Sequence, residues 1–532
     1  NEYWGWQDGE KRNSRVKRTD EPIIMLNHYW NISDKTTLNT NFAYQFGELG
    51  NSRLDYAGGA NPSPAYYQNL PSYWVARDDL ENAYEFEQNF INKGQIDWNR
   101  IYDANITNNI NGNNAAYVLY EDRSDDTQFT ANTIFNTEIS DNITLNGALN
   151  LRQLKSENFA QITDMLGSTT GYLNVDSFDG YQYDLRNPDR VIDEGDKFRY
   201  NYNLDANVFS ANVQALFKYN KIDFYLAASV TNTQYQREGL YQHEAYKDNS
   251  YGKGEKVKFN GLGAKGGFTY KLTGKHLFDV NAAYISKAPT LRNTFSNSRE
   301  NHNVVGDKSG IDITEEKIMS ADASYIFRSP IVKARLTGYY TTIKDANEIS
   351  FFFADGVGGD NTAFVQEILQ GVNKKHFGGE LGIEAQVTPT IKLKGAASIG
   401  QFTYDNNPNL ILTSDDFENG FKDFNQANLK DYKIAGGPQR ASSVGFEYRD
   451  PDFWWFGATA NFFSNTYVQT IILSLVSGAI ATVFVSRPRL VWSKAHQNSF
   501  RLKNEADERP LYINTSEIWV KNMAHQPQRG PK

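Results

Sequence analysis

The chain has 532 residues, with 54 Lys and Arg against 63 Asp and Glu for a formal net charge of −9, no cysteine, and 14% aromatic residues. So aromatic a chain is not disordered, and its acidic balance argues against a generic nucleic-acid binder, which needs a basic footprint. The missing thiols exclude disulfides, zinc–cysteine sites, iron–sulfur clusters and a thiol nucleophile. Asn1 is followed by no charged-then-apolar leader, so it is expected to be a mature N-terminus or the start of a fragment.

Along the chain the dominant signal is a two-residue period, the signature of strands. Leu38, Thr40, Phe42, Tyr44 and Phe46 oppose Asn39, Asn41, Ala43 and Gln45. Ile143, Leu145, Gly147, Leu149 and Leu151 oppose Asn142, Thr144, Asn146, Ala148, Asn150 and Arg152. The same alternation returns over Ile222–Thr231, Val332–Tyr340 and Glu380–Val387. Tight clusters of Ser, Asn, Asp, Gly or Pro join these runs near residues 33–35, 140–142, 219–221, 273–275, 328–330, 388–390 and 449–452. Each is a hairpin turn. Seven hairpins predict about fourteen strands by Tyr467.

The connections between hairpins are long, polar and rich in Asn, Asp, Gly and Tyr: Gly47–Asp126, Ser156–Tyr202, Gln234–Lys256, Ala288–Glu316 and Asp405–Asp431. Short turns at one end and long loops at the other are the pattern of an outer-membrane barrel, whose tilted strands need about 9–11 residues to cross a bilayer. Trp30, Phe135, Phe217, Tyr219, Phe224, Phe278, Phe327, Tyr448 and Trp454 cluster near the tight turns as one interfacial girdle. The fold class is therefore all-β, a transmembrane antiparallel β-barrel. A soluble sandwich or propeller would have shorter strands and no one-sided loops. Backbone groups in lipid require the sheet to close.

These residues resemble the barrel of a TonB-dependent outer-membrane receptor of the kind common in Bacteroidota. The resemblance rests on Trp4-Gly5-Trp6-Gln7-Asp8-Gly9-Glu10-Lys11-Arg12-Asn13-Ser14-Arg15, which is similar to early-barrel sequence and is followed by the strand Pro22–His28. It rests also on Ser286-Lys287-Ala288-Pro289-Thr290-Leu291-Arg292-Asn293-Thr294-Phe295, similar to a mid-barrel segment where a strand emerges into a loop, and on Gly338–Asp345 and Gly378–Ala385. It covers residues 1–468. The family barrel has 22 strands and is preceded by a gating plug and a TonB-contacting box. On that comparison this is the barrel portion only, with plug, early strands and closing strands missing.

Residues 469–532 read as an atypical tail. Alternation stops, and residues 486–532 carry nine Lys and Arg against four acids. A shifted reading frame or an artificial junction is the expectation. Within it, Ile471–Val485 is uncharged but only 15 residues long, short for a membrane helix. A strand pair split at Ser477-Gly478 is the alternative.

Little in the sequence suggests chemistry. The seven histidines are scattered without ligand spacing. The loop Asn174–Gly180 lacks the ligands of a calcium loop. Glu380 and Glu384, four residues apart on one strand face, stand about 13 Å apart, beyond the roughly 6.5–9.5 Å of an acid/base pair in glycoside hydrolysis. The chain is read as a non-enzyme with no catalytic, metal or cofactor residues, and no cofactor.

By resemblance, its function is TonB-energised uptake of a nutrient such as an iron chelate, oligosaccharide, peptide or vitamin complex, in the Gram-negative outer membrane. Its partners are then outer-membrane lipid and the TonB system, reached through a plug, and no nucleic acid. Ligand contacts are expected from the loop aromatics Tyr66, Tyr67, Tyr73, Trp74, Phe351, Phe352 and Phe353, which also suit loop packing. Arg152, Asp322, Lys333, Arg335, Glu380, Glu384 and Lys392 are expected to face the lumen, towards plug or water. The alternative from another class is a passive porin or surface adhesin barrel without energy coupling.

Overall fold

Fourteen long strands run between Ile23 and Tyr467, each hydrogen-bonded antiparallel to its neighbour in sequence. The computed structural model describes residues 3–307, 309–355, 362–414, 417 and 420–467, and the backbone alone of 484–485; the side chains of 353–355, 362 and 363 are also outside the description. The strands are β1 (Ile23–Ser33), β2 (Thr36–Tyr56), β3 (Tyr117–Ser140), β4 (Ile143–Asp164), β5 (Lys197–Lys218), β6 (Ile222–Gly239) and β7 (Val257–Lys271). They continue as β8 (His276–Lys287), β9 (Glu316–Arg328), β10 (Val332–Asp355), β11 (Thr362–Gln386), β12 (Ile391–Tyr404), β13 (Pro438–Arg449) and β14 (Trp455–Tyr467). The sheet curls into a closed barrel, in which the short strand Phe484–Val485 pairs with Thr466 and Tyr467 of β14.

All seven tight turns fall where the Ser/Asn/Asp/Gly/Pro clusters place them. Lys17–Asp20 extends β1 along β2, interrupted at Glu21-Pro22. There Gly47 of β2 has φ +148°, and a Cβ on it would stand 2.0 Å from the Asp20 carbonyl oxygen. Glycine is the residue that allows this kink.

Alternation sets two faces. Leu226, Leu262, Met319, Leu336 and Val444 on one are exposed, while their sequence neighbours pair side chain to side chain across the other, as Ser320 with Thr341 and Ser324 with Thr337. In a barrel closed in lipid the apolar face is the outward one. Aromatic pairs band it near the turns: Phe217 on Phe224 at 4.4 Å and Tyr448 on Trp454 at 5.2 Å. Among the described residues no helix is long and apolar enough to cross a membrane, which does not bear on crossing by strands.

The strands reach from 11 to 25 residues, beyond what a bilayer needs, so several connections are shorter than the composition suggests. β2 runs on to Tyr56 and β3 starts at Tyr117. Besides the short helix Pro71–Val75, the residues between hold two longer helices, α1 (Leu80–Lys93) and α2 (Trp98–Asn111), in a stretch expected to be loop. Their signals were local: Asp79 and Asp97 accept from the amides of Asn82 and Arg100 as N-caps, and Gly112 ends α2 at φ +70°. Trp4–Asn13, taken from its resemblance as early-barrel sequence, is instead a separate two-stranded hairpin laid on α2. The Trp4 carbonyl accepts from the Ile96 amide at 2.9 Å, and the Arg12 carbonyl from Trp98 Nε1 at 3.2 Å. Beyond Lys287, the chain leaves β8 for the short 3-10 turn Leu291–Asn293, a strand emerging into a loop. Apart from Phe484–Val485, the tail from residue 469 and both readings of Ile471–Val485 lie outside the described residues.

Candidate functional site

The polar face forms a wall of mixed charge. Arg152 donates to Gln128 at 2.7 Å. Arg335 donates to Ser324 Oγ at 3.0 Å and lies 3.7 Å from Asp279; Asp322 accepts from Asn281 at 3.2 Å. Glu384 pairs with Lys392 at 3.4 Å. Lys333 stands between Arg328 and Glu384 in register, and Glu380 between Thr337 and Ser398. Asp322, Arg335 and Glu380 share one recess of about 750 Å³ with Ser320, Thr337 and Tyr339. Glu380 and Glu384 therefore belong to separate contacts, and neither faces the other as an acid/base pair. Such a wall offers donors and acceptors of both signs to water or to a folded polar insert.

Above the wall, the loop aromatics fall into two groups. Tyr66, Tyr67, Tyr73 and Trp74 are brought together as a run of rings at 4.7, 5.4 and 5.2 Å, continued by Phe86 of α1 stacked on Trp74 at 5.2 Å. Arg77 caps the run, its guanidinium 3.5 Å from the Tyr73 ring centre. Burial and then the hydrogen bond with Tyr67 push the Tyr66 phenol up to about 12. Pro71 starts the short helix that turns these rings together. Below them Phe86, Phe90, Arg100 and Tyr117 line a cavity of about 360 Å³.

The second group sits on the β10–β11 hairpin. Phe351 stacks on Phe364 at 6.1 Å, and Phe352 packs against a buried cluster that includes Val365, Leu369, Leu410 and Leu412. The side chain of Phe353 is outside the described residues. Phe352 is thus a packing residue of its loop.

Sequence reading missed the charged joints that hold these upper strands. Asp122 meets Arg53 at 2.7 Å, the Tyr200 hydroxyl at 2.6 Å and Arg299 at 3.6 Å. Arg123, itself buried, meets Glu48 and Asp125, both at 2.8 Å. Asp55 faces Arg199 at 3.5 Å and the Tyr172 hydroxyl at 3.2 Å; burial, reinforced by Asp55, drives the Tyr172 phenol far up. Apart from Asp125, two residues from Arg123, these partners lie tens to more than a hundred positions apart and leave no local signal. In the loop Asn174–Gly180, Asp176 spends its carboxylate on the amides of Phe178 and Asp179 and on the Tyr183 hydroxyl, so its oxygens close a turn.

No family model matches the chain, and no curated protein is significantly similar to it. Solved structures are. The siderophore receptor PiuA from Acinetobacter baumannii aligns with a TM-score of 0.53 at 11% identity, over 88% of this chain and 57% of its own. The copper transporter OprC aligns with a TM-score of 0.51 at 10% identity, over 84% and 52%. What this likeness shows is the fold, a large antiparallel barrel like those of PiuA and OprC. The chain spans little more than half the length of the structures it matches.

Proposed function

We propose that the chain is the wall of an outer-membrane receptor that takes up a scarce nutrient complex with energy relayed by TonB. The observation that carries this reading is the one-sided build: tight turns below, an apolar outer belt, a wide polar interior, and folded loops above. A passive pore needs only the belt and the interior. The elaborate upper loops, with a five-ring aromatic run from Tyr66 to Phe86, are the parts a receptor adds, and aromatic faces suit sugars and aromatic chelates. The siderophore and copper cargoes of PiuA and OprC make a metal complex one candidate among iron chelate, oligosaccharide, peptide or vitamin complex. The segments Trp4–Arg15 and Ser286–Phe295 support a Bacteroidota-type receptor. On this reading the barrel sits in the Gram-negative outer membrane, and the TonB system acts through a plug domain that is not among these residues. Arg152, Asp322, Lys333, Arg335, Glu380, Glu384 and Lys392 then face that plug or the water around it.

The test is nutrient-limited growth of cells carrying the full-length gene, with TonB present or deleted. Uptake that needs TonB and falls on replacing Tyr73 and Trp74 by Ala supports the reading. Uptake indifferent to TonB favours the passive conduit.

A further inference from the structure

On the outward face, strands β5 to β10 enclose a furrow of about 960 Å³. Its floor is Ala228, Ala264, Gly266, Ala282 and Ala321, and its sides are Leu226 opposite Tyr284, Met319 and Tyr340. Its loop-side end is different. There Lys344 and Asp405 line the same furrow.

Register explains the charge at that end. Lys344 on β10 stands directly opposite Lys317 on β9, an arrangement that repels when nothing lies between. Lys375 on β11 opposes Thr342, one diagonal step from Lys344. Asp345 holds Lys317 at 2.8 Å and Asp405 holds Lys375 at 2.8 Å. Lys344, exposed, has no ion pair among the described residues. Lys317 and Lys375 are each held by a carboxylate, and Glu315 and Asp431 also act on them, which leaves the Lys344 ammonium as the one of the three without an ion pair among the described residues at the mouth of the trough.

Height places that charge. From Val332 to Thr342, at roughly 3.3 Å per residue and a tilt near 40°, β10 climbs about 25 Å, the thickness of the apolar belt of an outer-membrane barrel. Lys344 comes two residues higher, at headgroup level on the loop side. A lysine there has one natural counter-charge, an anionic headgroup whose chains run down into the belt.

We propose that Lys344, flanked by Lys317 and Lys375, binds the phosphate of a phosphorylated lipid of the outer leaflet, with an acyl chain lying in the furrow beneath. This rests on the reading of the strands as bilayer-spanning. It adds to that reading a defined lipid site on the outer wall, separate from the lumen.

The experiment uses the whole chain folded in neutral detergent, with heat-modifiable electrophoretic mobility as the measure of the barrel. Retention of three probes is compared by native mass spectrometry: phosphatidic acid, diacylglycerol with the same chains, and inorganic phosphate. Phosphatidic acid should be held, diacylglycerol much less, and inorganic phosphate should fail to displace the lipid. Lys344→Gln should weaken phosphatidic acid about fivefold, the size of one lysine at a charged lipid surface, and Lys344→Arg should keep it. Ala282→Trp, which fills the floor without touching a charge, should weaken it as well. Equal retention of diacylglycerol, full displacement by inorganic phosphate, or no effect of Lys344→Gln in the folded fraction overturns the lipid site while leaving the barrel intact. A wild-type chain with no heat-modifiable form overturns the membrane reading and the site together.

Discussion

The lower and upper halves of the same strands are built by different rules. Near the tight turns the wall is one sheet thick: Leu226 is 61% exposed, Val444 63%, and among the described residues no buried cluster lies behind them. What holds this half is the ladder of main-chain bonds, together with a lipid that takes the place of a core. Above the belt the strands continue into water and make cores of their own. Val118, Ala160, Ile162 and Phe198 are buried in one, and Ile96, Trp98, Ile101 and Leu166 in another beside it. One hydrogen-bonded ladder thus passes through two solvents, and each half is stabilised by what the other lacks.

The sharpest way to break that contrast is Trp98→Ala. The indole is fully buried, lies under the Arg12 guanidinium at 4.5 Å and donates to the Arg12 carbonyl. Its removal should cost about 3–5 kcal/mol. The loss should appear as fast hydrogen exchange in Trp4–Asn13, α1 and α2, with the strands near the turns still protected. Exchange rising throughout the barrel would make the two halves one cooperative unit.

The lower half answers to a different substitution. Leu336→Arg or Leu149→Arg puts a charge on the outward face, at about 2–4 kcal/mol near the midplane, and should cut membrane insertion. Asn150→Arg, one position on but facing the lumen beside Ser210, should insert normally. Equal tolerance at Leu149 and Asn150 would undo the assignment of faces.

Asn105 sharpens the comparison further, as a polar residue that does in the upper half what main-chain pairing does below. Fully buried in α2, it donates to the carbonyls of Tyr117, Met165 and Leu166 and accepts from the amides of Ala116 and Tyr117. Asn105→Ala should cost about 1–3 kcal/mol for the buried groups it strands, read as earlier melting of the loop module. Asn105→Asp keeps the acceptor and loses the donors, so it should fall short of wild type.

The contrast also decides what could be read from sequence. Below the belt, each residue faces either lipid or lumen, so a period of two carries nearly all the information. The turns at 33–35 or 388–390, and the facing of Leu149 against Asn150, follow from it directly. Above the belt, burial depends on what arrives from elsewhere in the chain. Asp122 gives no hint of Arg299, and Phe352 looks like an exposed ligand contact until Leu410 and Leu412 cover it. The helices were legible through Asp79, Asp97 and Gly112, but their polar, Asn-rich faces gave no apolar stripe to draw attention to them.

The smallest expected effect is a pH dependence confined to the upper half. Arg237, almost wholly buried, donates to the carbonyls of Ser298 and Ser250 and to Nδ1 of His302 at 2.9 Å. An arginine has only donors, so Nδ1 must accept, and His302 offers its Nε2 hydrogen to the Tyr251 carbonyl at 3.3 Å. Burial first, and then the Arg237 charge, hold the His302 pKa below its usual value. A basic group depressed on folding favours the neutral form, so its contribution is fully present above the unfolded value near 6.5 and is lost as pH falls through the folded value. Glu300, whose charge acts on Arg237, and the Tyr202 ring 5.1 Å from that guanidinium remain to hold the arginine when His302 charges. The loosening should therefore be local. Hydrogen exchange at residues 297–302 should speed up as pH drops below 6, after correction for intrinsic exchange, while β9 and β10 near their turn do not change. His302→Gln, which stays neutral, should flatten the dependence; a slope that survives it would assign the effect to another group.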